Sequence, residues 1–228
     1  MKIGLLIAME EELQAFLDFG KEGGTEVTQD KVGHFRVYRA RIGSHDILGL
    51  LTGYGEIDAA AATQLLITWG KCEVILNFGV TGALVPSLKV SDLFVVRKVC
   101  HYDFDVSPID PVKKHQYMEF PDEFIPLDDG LIRLARETMP ELVEAAVASG
   151  DHFVEDRKEK QDLAALGCQI CDMEIAAIAR VSALNGIRCL SVKCISDTVD
   201  GDGSDYAANV TRSASLAFRV LLNVIQAL

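Results

Sequence analysis

The sequence predicts an α/β fold with a largely parallel or mixed sheet. Short apolar runs at Lys2–Ala8, Val74–Phe78 and Arg188–Ile195 have the length of buried strands, and segments with apolar residues at helical spacing stand between them. No internal repeat, low-complexity tract or linker divides the 228 residues, so one domain over residues 1–228 is expected. With 49% hydrophobic residues, that domain has enough apolar side chain for a substantial core.

Lys2–Ala8 reads as a buried strand, and Met9, Leu13, Phe16 and Leu17 continue at helical spacing. Phe35–Ile42 and Ile47–Thr52, separated by Gly43-Ser44-His45-Asp46, read as a hairpin. Gly53-Tyr54-Gly55 then turns into an alanine-rich helix over Ile57–Trp69. Val74–Phe78 ends in Gly79-Val80-Thr81-Gly82-Ala83, read as a turn whose glycines let backbone amides approach a ligand. Leu93–Val99 is the next strand. Ser107–Pro126 holds four of the six prolines among charges and aromatics, and is predicted to be a long irregular loop and a candidate substrate lid.

Helical spacing resumes at Leu131, Leu134 and Ala135. Val143–Ala148 reads as a strand ending at Ser149-Gly150-Asp151, Arg157–Leu166 as a surface helix, and Met173–Leu184 as a nearly all-apolar helix. The strand Arg188–Ile195 leads into Ser196-Asp197 and a Gly/Asp loop, and Tyr206–Leu228 closes the chain as a helix.

The 22 Lys+Arg and 34 Asp+Glu residues leave a net charge of −12, which repels nucleic acid and anionic membranes and favours a small neutral or cationic ligand. No apolar run approaches the ~20 residues of a membrane span. The acidic triplet Glu10-Glu11-Glu12 interrupts the first apolar stretch where a signal peptide would continue, so a cytoplasmic protein is expected. Of the six cysteines, only Cys168 and Cys171 have metal-like spacing. They lack a second CxxC or a histidine pair, so all six are read as reduced structural thiols, with no metal.

In open α/β sheets ligands collect beyond the carboxyl ends of strands, which singles out Met9–Glu12, Gly53–Gly55, Gly79–Ala83, Ser149–Phe153 and Ser196–Asp197. Glu10 and Glu11 are explained by the positive end of a helix dipole. Glu12 is different: at ~100° per residue it falls between Phe16 and Phe19, within the apolar face. A carboxylate held there has a raised pKa suited to proton transfer. Glu174 falls likewise between Ile178 and Val181, and is read either as satisfying a lysine or backbone amides or as accepting hydrogen bonds from ligand hydroxyls. Asp197 is either a cap or a functional acid at a strand end. Acids converging on one pocket, without a Ser–His–Asp or Cys–His set, fit glycosidic bond cleavage, in which one acid protonates the leaving group and another activates water.

The segments MKIGLLIAMEEE, TGYGEIDAAAATQLLI, ILNFGVTGALVPSLKVSDLFVV, SGDHF, CDMEIAAIARV and VKCISDTVDGD, in this order, resemble the nucleoside phosphorylase/hydrolase family, most closely its 5′-methylthioadenosine/S-adenosylhomocysteine nucleosidase branch. The resemblance implies a three-layer α/β/α fold with a central mixed, largely parallel sheet. It also implies hydrolysis of the N-glycosidic bond of 5′-methylthioadenosine, and possibly of S-adenosylhomocysteine, without a cofactor and by a homodimer. Carried over residue by residue, Glu12 is the base that activates water, Asp197 the acid that protonates N7 of adenine, and Glu174, with Met173, the ribose clamp. Phe153 stacks on the base, and the Val154 backbone meets the purine edge. Val80 belongs to the Gly-rich segment beside the water, Ser196 to the strand end that carries the acid, and Tyr54 and Tyr206 to the 5′ pocket.

The sequence departs from the family's bacterial nucleosidases at Thr81 in the Gly-rich segment, at Lys193, where arginine is usual, and at Asp172, where glutamate is usual. Asp-Met-Glu, the lysine and VDGD are more like the plant nucleosidases. Neither Met9–Glu12 nor Asn77–Ala83 contains the arginines that grip phosphate in the phosphorylase branch, which favours water as nucleophile. A purine nucleoside phosphorylase or hydrolase acting on nucleosides without a 5′-thio group, and a non-catalytic nucleoside-binding protein, stand as alternatives, and the Ile57–Trp69 segment is read as either a dimer interface or a core helix.

Overall fold

The computed structural model describes residues 1–201 and 203–228, so the last aspartate of the VDGD motif lies outside the described residues. The elements in order are β1 (Lys2–Ile7), α1 (Glu10–Glu22), β2 (Thr28–Val32), β3 (Phe35–Ile42), β4 (His45–Leu51), α2 (Glu56–Thr68), β5 (Val74–Ala83), β6 (Leu93–His101) and β7 (Ile125–Pro126). They continue with α3 (Asp129–Thr138), β8 (Val143–Ser149), α4 (Arg157–Ala165), β9 (Ile170–Asp172), α5 (Ile175–Leu184), β10 (Arg188–Asp197) and α6 (Gly203–Ala227).

Among the described residues the strands form one mixed sheet in the order β10-β6-β8-β9-β5-β1-β4-β3-β2, with β7 on β6. The parallel run β4, β1, β5, β10 is the centre of the fold. Its strands are apolar on both faces because helices cover both, as for parallel sheets in general. β10 also pairs antiparallel with β6, so β5, β10, β6, β8 and β9 close into a ring. Helix α6 packs on β5 and β10 with α1 and α3 against it, while α2 and α5 pair with each other. The ring of Phe218 on α6 meets Phe16 at 5.8 Å and Phe78 at 4.9 Å, joining α1, α6 and β5 in the core.

Several local expectations are corrected. Gly79–Ala83 is not a turn: β5 runs through it, because the end of β10 and the three-residue strand β9 supply ladder partners that the local sequence does not announce. β2 (TQDKV) escaped notice because it is an edge strand with almost every residue exposed and no apolar alternation. The Ser107–Pro126 segment is irregular up to the short strand β7 at its end. Tyr117 stacks on Phe104 at 4.0 Å and lies under Arg180 of α5, and none of the segment lines the cavity described below.

Candidate active site

A cavity of about 510 Å³ opens at the ends of β5, β9 and β10, walled by Met9, Tyr54, Val80, Phe153, Met173 and Tyr206 and floored by Asp172, Glu174, Ser196 and Asp197. Lysine and arginine are absent from its described lining.

Met9 lies extended between β1 and α1, so the first turn of the helix swings Glu12 back toward the sheet. The Glu12 side chain is buried; one carboxylate oxygen accepts from the Ala8 amide at 2.9 Å and the other from the Val80 amide at 3.2 Å. Gly79 makes this approach possible, since a Cβ there would stand 2.2 Å from Glu12 Oε1. The glycine therefore serves the close passage of a side chain rather than a turn. Burial raises the Glu12 pKa above 4.5, with the charge of Lys193 and the amides of Ala8, Val80 and Met9 pulling the other way. Glu12 is not itself part of the wall; it adjoins it through the amide of the lining residue Val80.

Glu174 is the residue before α5, not a member of its first turn as the helical wheel assumed. It is buried because the chain leaves β9 there and turns inward, where Glu174 Oε1 accepts from the Gly55 amide at 3.0 Å. Gly55 has φ 96°, a left-handed region open to glycine. Burial, reinforced by nearby Asp172, pushes the Glu174 pKa up to about 8, while Lys193 opposes the rise. Lys193 on β10 sits behind the cavity, its ammonium 2.7 Å from Asp172 Oδ2, with both side chains buried.

Asp197 ends β10 and is buried; Ser196 Oγ donates to its Oδ1 at 2.9 Å. Burial raises its pKa above 3.8, against the Ser196 hydrogen bond and the charge of Lys160. Gly82 gives this carboxyl room, since a Cβ there would lie 3.0 Å from Asp197 Oδ2. Across the cavity, Phe153 and Tyr206 meet edge to face at 5.7 Å, and the Tyr206 hydroxyl donates to the Met9 sulfur at 3.1 Å. Val154 turns away from the cavity into a small cluster with Leu163 and Tyr102.

The structure thus brings Glu12, Glu174 and Asp197 to one site, with Met173, Phe153, Val80, Tyr54, Ser196 and Tyr206 on its wall, and Val154 and Lys193 one layer behind. Three contributors escaped the sequence reading. Glu56 is buried at the start of α2, where it accepts from Ser149 Oγ at 2.6 Å and from the Ala177 amide. Asp151 Oδ1 accepts from the Glu56 amide at 2.7 Å, tying the turn after β8 to α2. Lys160 was expected on a surface helix, yet it is 1% exposed and points at the loop after Asp197. Their partners lie tens of residues away, and only the Ser149–Phe153 strand end marked the region in advance.

Fold and site together define an α/β protein whose small-molecule cavity is floored by carboxyl groups at strand ends. The chain belongs to the phosphorylase superfamily, whose family model matches residues 2–226. It is similar over its whole length to a 5′-methylthioadenosine/S-adenosylhomocysteine nucleosidase of Maridesulfovibrio salexigens, at 29% identity and covering 100% of that protein. It is also 29% identical to the aminodeoxyfutalosine nucleosidase of Helicobacter pylori, covering 100% of this chain and 99% of that one. The crystal structure of an aspartate-to-asparagine mutant of the Helicobacter pylori 5′-methylthioadenosine/S-adenosylhomocysteine nucleosidase, with 5′-methylthioadenosine in its active site, superposes with a TM-score of 0.91 at 26% identity, covering 100% of this chain and 99% of that one.

Proposed function

We propose that this chain, acting as one domain, hydrolyses the N-glycosidic bond of 5′-methylthioadenosine to adenine and 5-methylthioribose. The observation that carries the proposal is that the buried carboxyl groups of Glu174 and Asp197 line, and that of Glu12 adjoins, a cavity with no cationic residue in its described lining. In the reaction the bond between C1′ and N9 breaks as Asp197 gives its proton to N7. A water oxygen bonds to C1′, and its proton passes to Glu12. The ribosyl group becomes positive on the way, and the surrounding carboxylates stabilise that charge. Asp197 has to begin protonated, and burial raises its pKa in that direction; Glu12 has to begin ionised against the burial that raises its own pKa, with Lys193 and backbone amides favouring the charged form.

Glu174 accepts hydrogen bonds from the ribose hydroxyls beside Met173. Phe153 offers its ring to the purine, and the Val154 backbone meets the purine edge. Val80 borders the water, and Tyr54, Tyr206 and Met9 surround the 5′-thio group, where neutral thioether and ring faces complement one another. Phosphorolysis is disfavoured because a phosphate dianion would meet Glu12, Glu174 and Asp197 with no arginine in the described lining to receive it.

Free adenine released from 5′-methylthioadenosine is expected at equal rates with and without added phosphate. A strict requirement for phosphate, with a sugar 1-phosphate as product, would overturn the assignment, and binding without turnover would make the protein a nucleoside-binding homologue. Adenosine, inosine, S-adenosylhomocysteine and 6-amino-6-deoxyfutalosine in the same assay define the base and the 5′ group.

A homodimer is proposed with α2 in the interface, since Ile57 on α2 is 79% exposed and Leu184 on the neighbouring α5 is 63% exposed. Sedimentation tests it. No helix among the described residues is long and apolar enough to cross a membrane. With its six free, buried cysteines, the chain is proposed to work in the reducing cytoplasm.

A further inference from the structure

Lys160 is a buried cation that the reaction as described does not use. Its stem rises from α4, and its ammonium lies 3.1 Å from the carbonyl of Thr198 and 3.4 Å from those of Val199 and Gly201. An ammonium has three protons, and these carbonyls account for all three. Asp197 Oδ2 stands farther off, at 3.9 Å, as a counter-charge that receives no proton from Lys160. The carboxyl thus keeps its own proton free for a ligand.

Among the described residues, exposed contacts also connect this region: Arg157 of α4 pairs with Asp200 at 3.2 Å, and the Gly203 amide at the start of α6 donates to Glu155, just before α4, at 3.3 Å. Exposed contacts of this kind contribute little. A cleft lined by Glu155, Arg157, Val199 and Gly201 lies between the segments, and the buried ammonium bridges from α4 to the loop carbonyls.

We infer that Lys160 is a positioning residue for the general acid: it clamps the loop leaving β10 to α4 and so holds the Asp197 carboxyl in the cavity that Phe153 also lines. The inference rests on the assignment of Asp197 as the acid. Lys160 also acts on the chemistry through its charge, because the carboxylate left after proton transfer faces a cation within a dry environment. Among the described residues, the Ser196 hydroxyl on β10, Asp205 on α6 and the thiol of Cys171 on β9 also act on Asp197. Of these and Lys160, only Lys160 carries a positive charge.

The test is the pH profile of adenine release by Lys160→Met, Lys160→Gln and Lys160→Arg, with Asp197→Asn in parallel. The Met and Gln variants are expected to lose about ten- to a hundredfold in kcat. The alkaline limb of their kcat/KM profile, where the acid loses its proton, should move up by about one pH unit, since the cation that favours the carboxylate has gone. Lys160→Arg should keep the limb in place and recover most of kcat. A limb that stays put in both Met and Gln variants would reduce Lys160 to a structural strap and overturn the inference. If Lys160→Met does not fold, the Gln and Arg variants decide the question between them. Retained turnover in Asp197→Asn would instead remove the acid assignment itself, so the two failures are distinct.

Discussion

The ammonium of Lys193 lies 2.7 Å from Oδ2 of Asp172, and each of these side chains is 2% exposed. Glu12 and Glu174 also bear on this ammonium, so one buried lysine offsets three acids at the centre of the site. Asp172, Glu174 and Glu12 together outweigh desolvation and raise the lysine pKa above 10.5, so the cation is held charged.

Lys193→Met therefore strands buried carboxylates and is expected to cost about 3–5 kcal/mol of stability, read from the urea midpoint. In whatever fraction folds, Glu12 loses a cation that favours its ionised form. The acid limb of kcat/KM, which reports the base, should move to higher pH. A limb at the wild-type position would show that Lys193 does not act on the base.

Glu12→Gln and Asp197→Asn preserve shape but remove the proton acceptor and the proton donor. Each is expected to lower kcat by about 10²–10⁴-fold while leaving the melting temperature within a few degrees. Near-normal adenine release by either variant would overturn its assigned role.

Gly79→Ala tests the narrow passage of Glu12. Its Cβ would come within 2.2 Å of Glu12 Oε1, so the carboxylate has to leave the Val80 amide. Expected are a stability cost of about 1–3 kcal/mol and a fall in kcat much larger than any change in KM. Wild-type kcat would show that the position of Glu12 is not tied to this glycine.

Glu56 predicts a pH dependence of stability. Burial, with Asp172 and Glu174 nearby, raises its pKa from 4.5 to about 8, against hydrogen bonds from Ser149 and Ala177. A raised folded-state pKa means that the contribution is complete below pH 4.5 and is lost as pH rises through about 8, because the unfolded chain releases its proton first. Stability should fall across that window, and Glu56→Gln should flatten the fall. Urea midpoints that decline equally in both proteins would assign the effect to other groups.

Much of this site was legible from local pattern. Glu12 stood out because a charged residue on the apolar face of a helix conflicts with its neighbours, and the structure buries it between the Ala8 and Val80 amides. Asp197 stood out because it follows an apolar strand. Glu174 was singled out for its wheel position, yet it is buried by a backbone turn that places it against Gly55, which is 119 residues earlier. Glu56 and Lys160 left no signal, since a Glu at a helix start and a Lys in a polar helix look like ordinary solvated residues.

By itself the sequence determined the α/β class, the order of its principal strands and helices, and which acids are out of place, because these follow from periodicity along the chain. Only the tertiary structure decided that β5 runs straight through its glycines, that β9 and β10 close the sheet into a ring, and that Lys193 and Lys160 face Asp172 and Asp197. Those are pairings between residues remote in sequence. Their energy comes from hydrogen bonds and charges that meet only once the chain has folded, so no local window contains them.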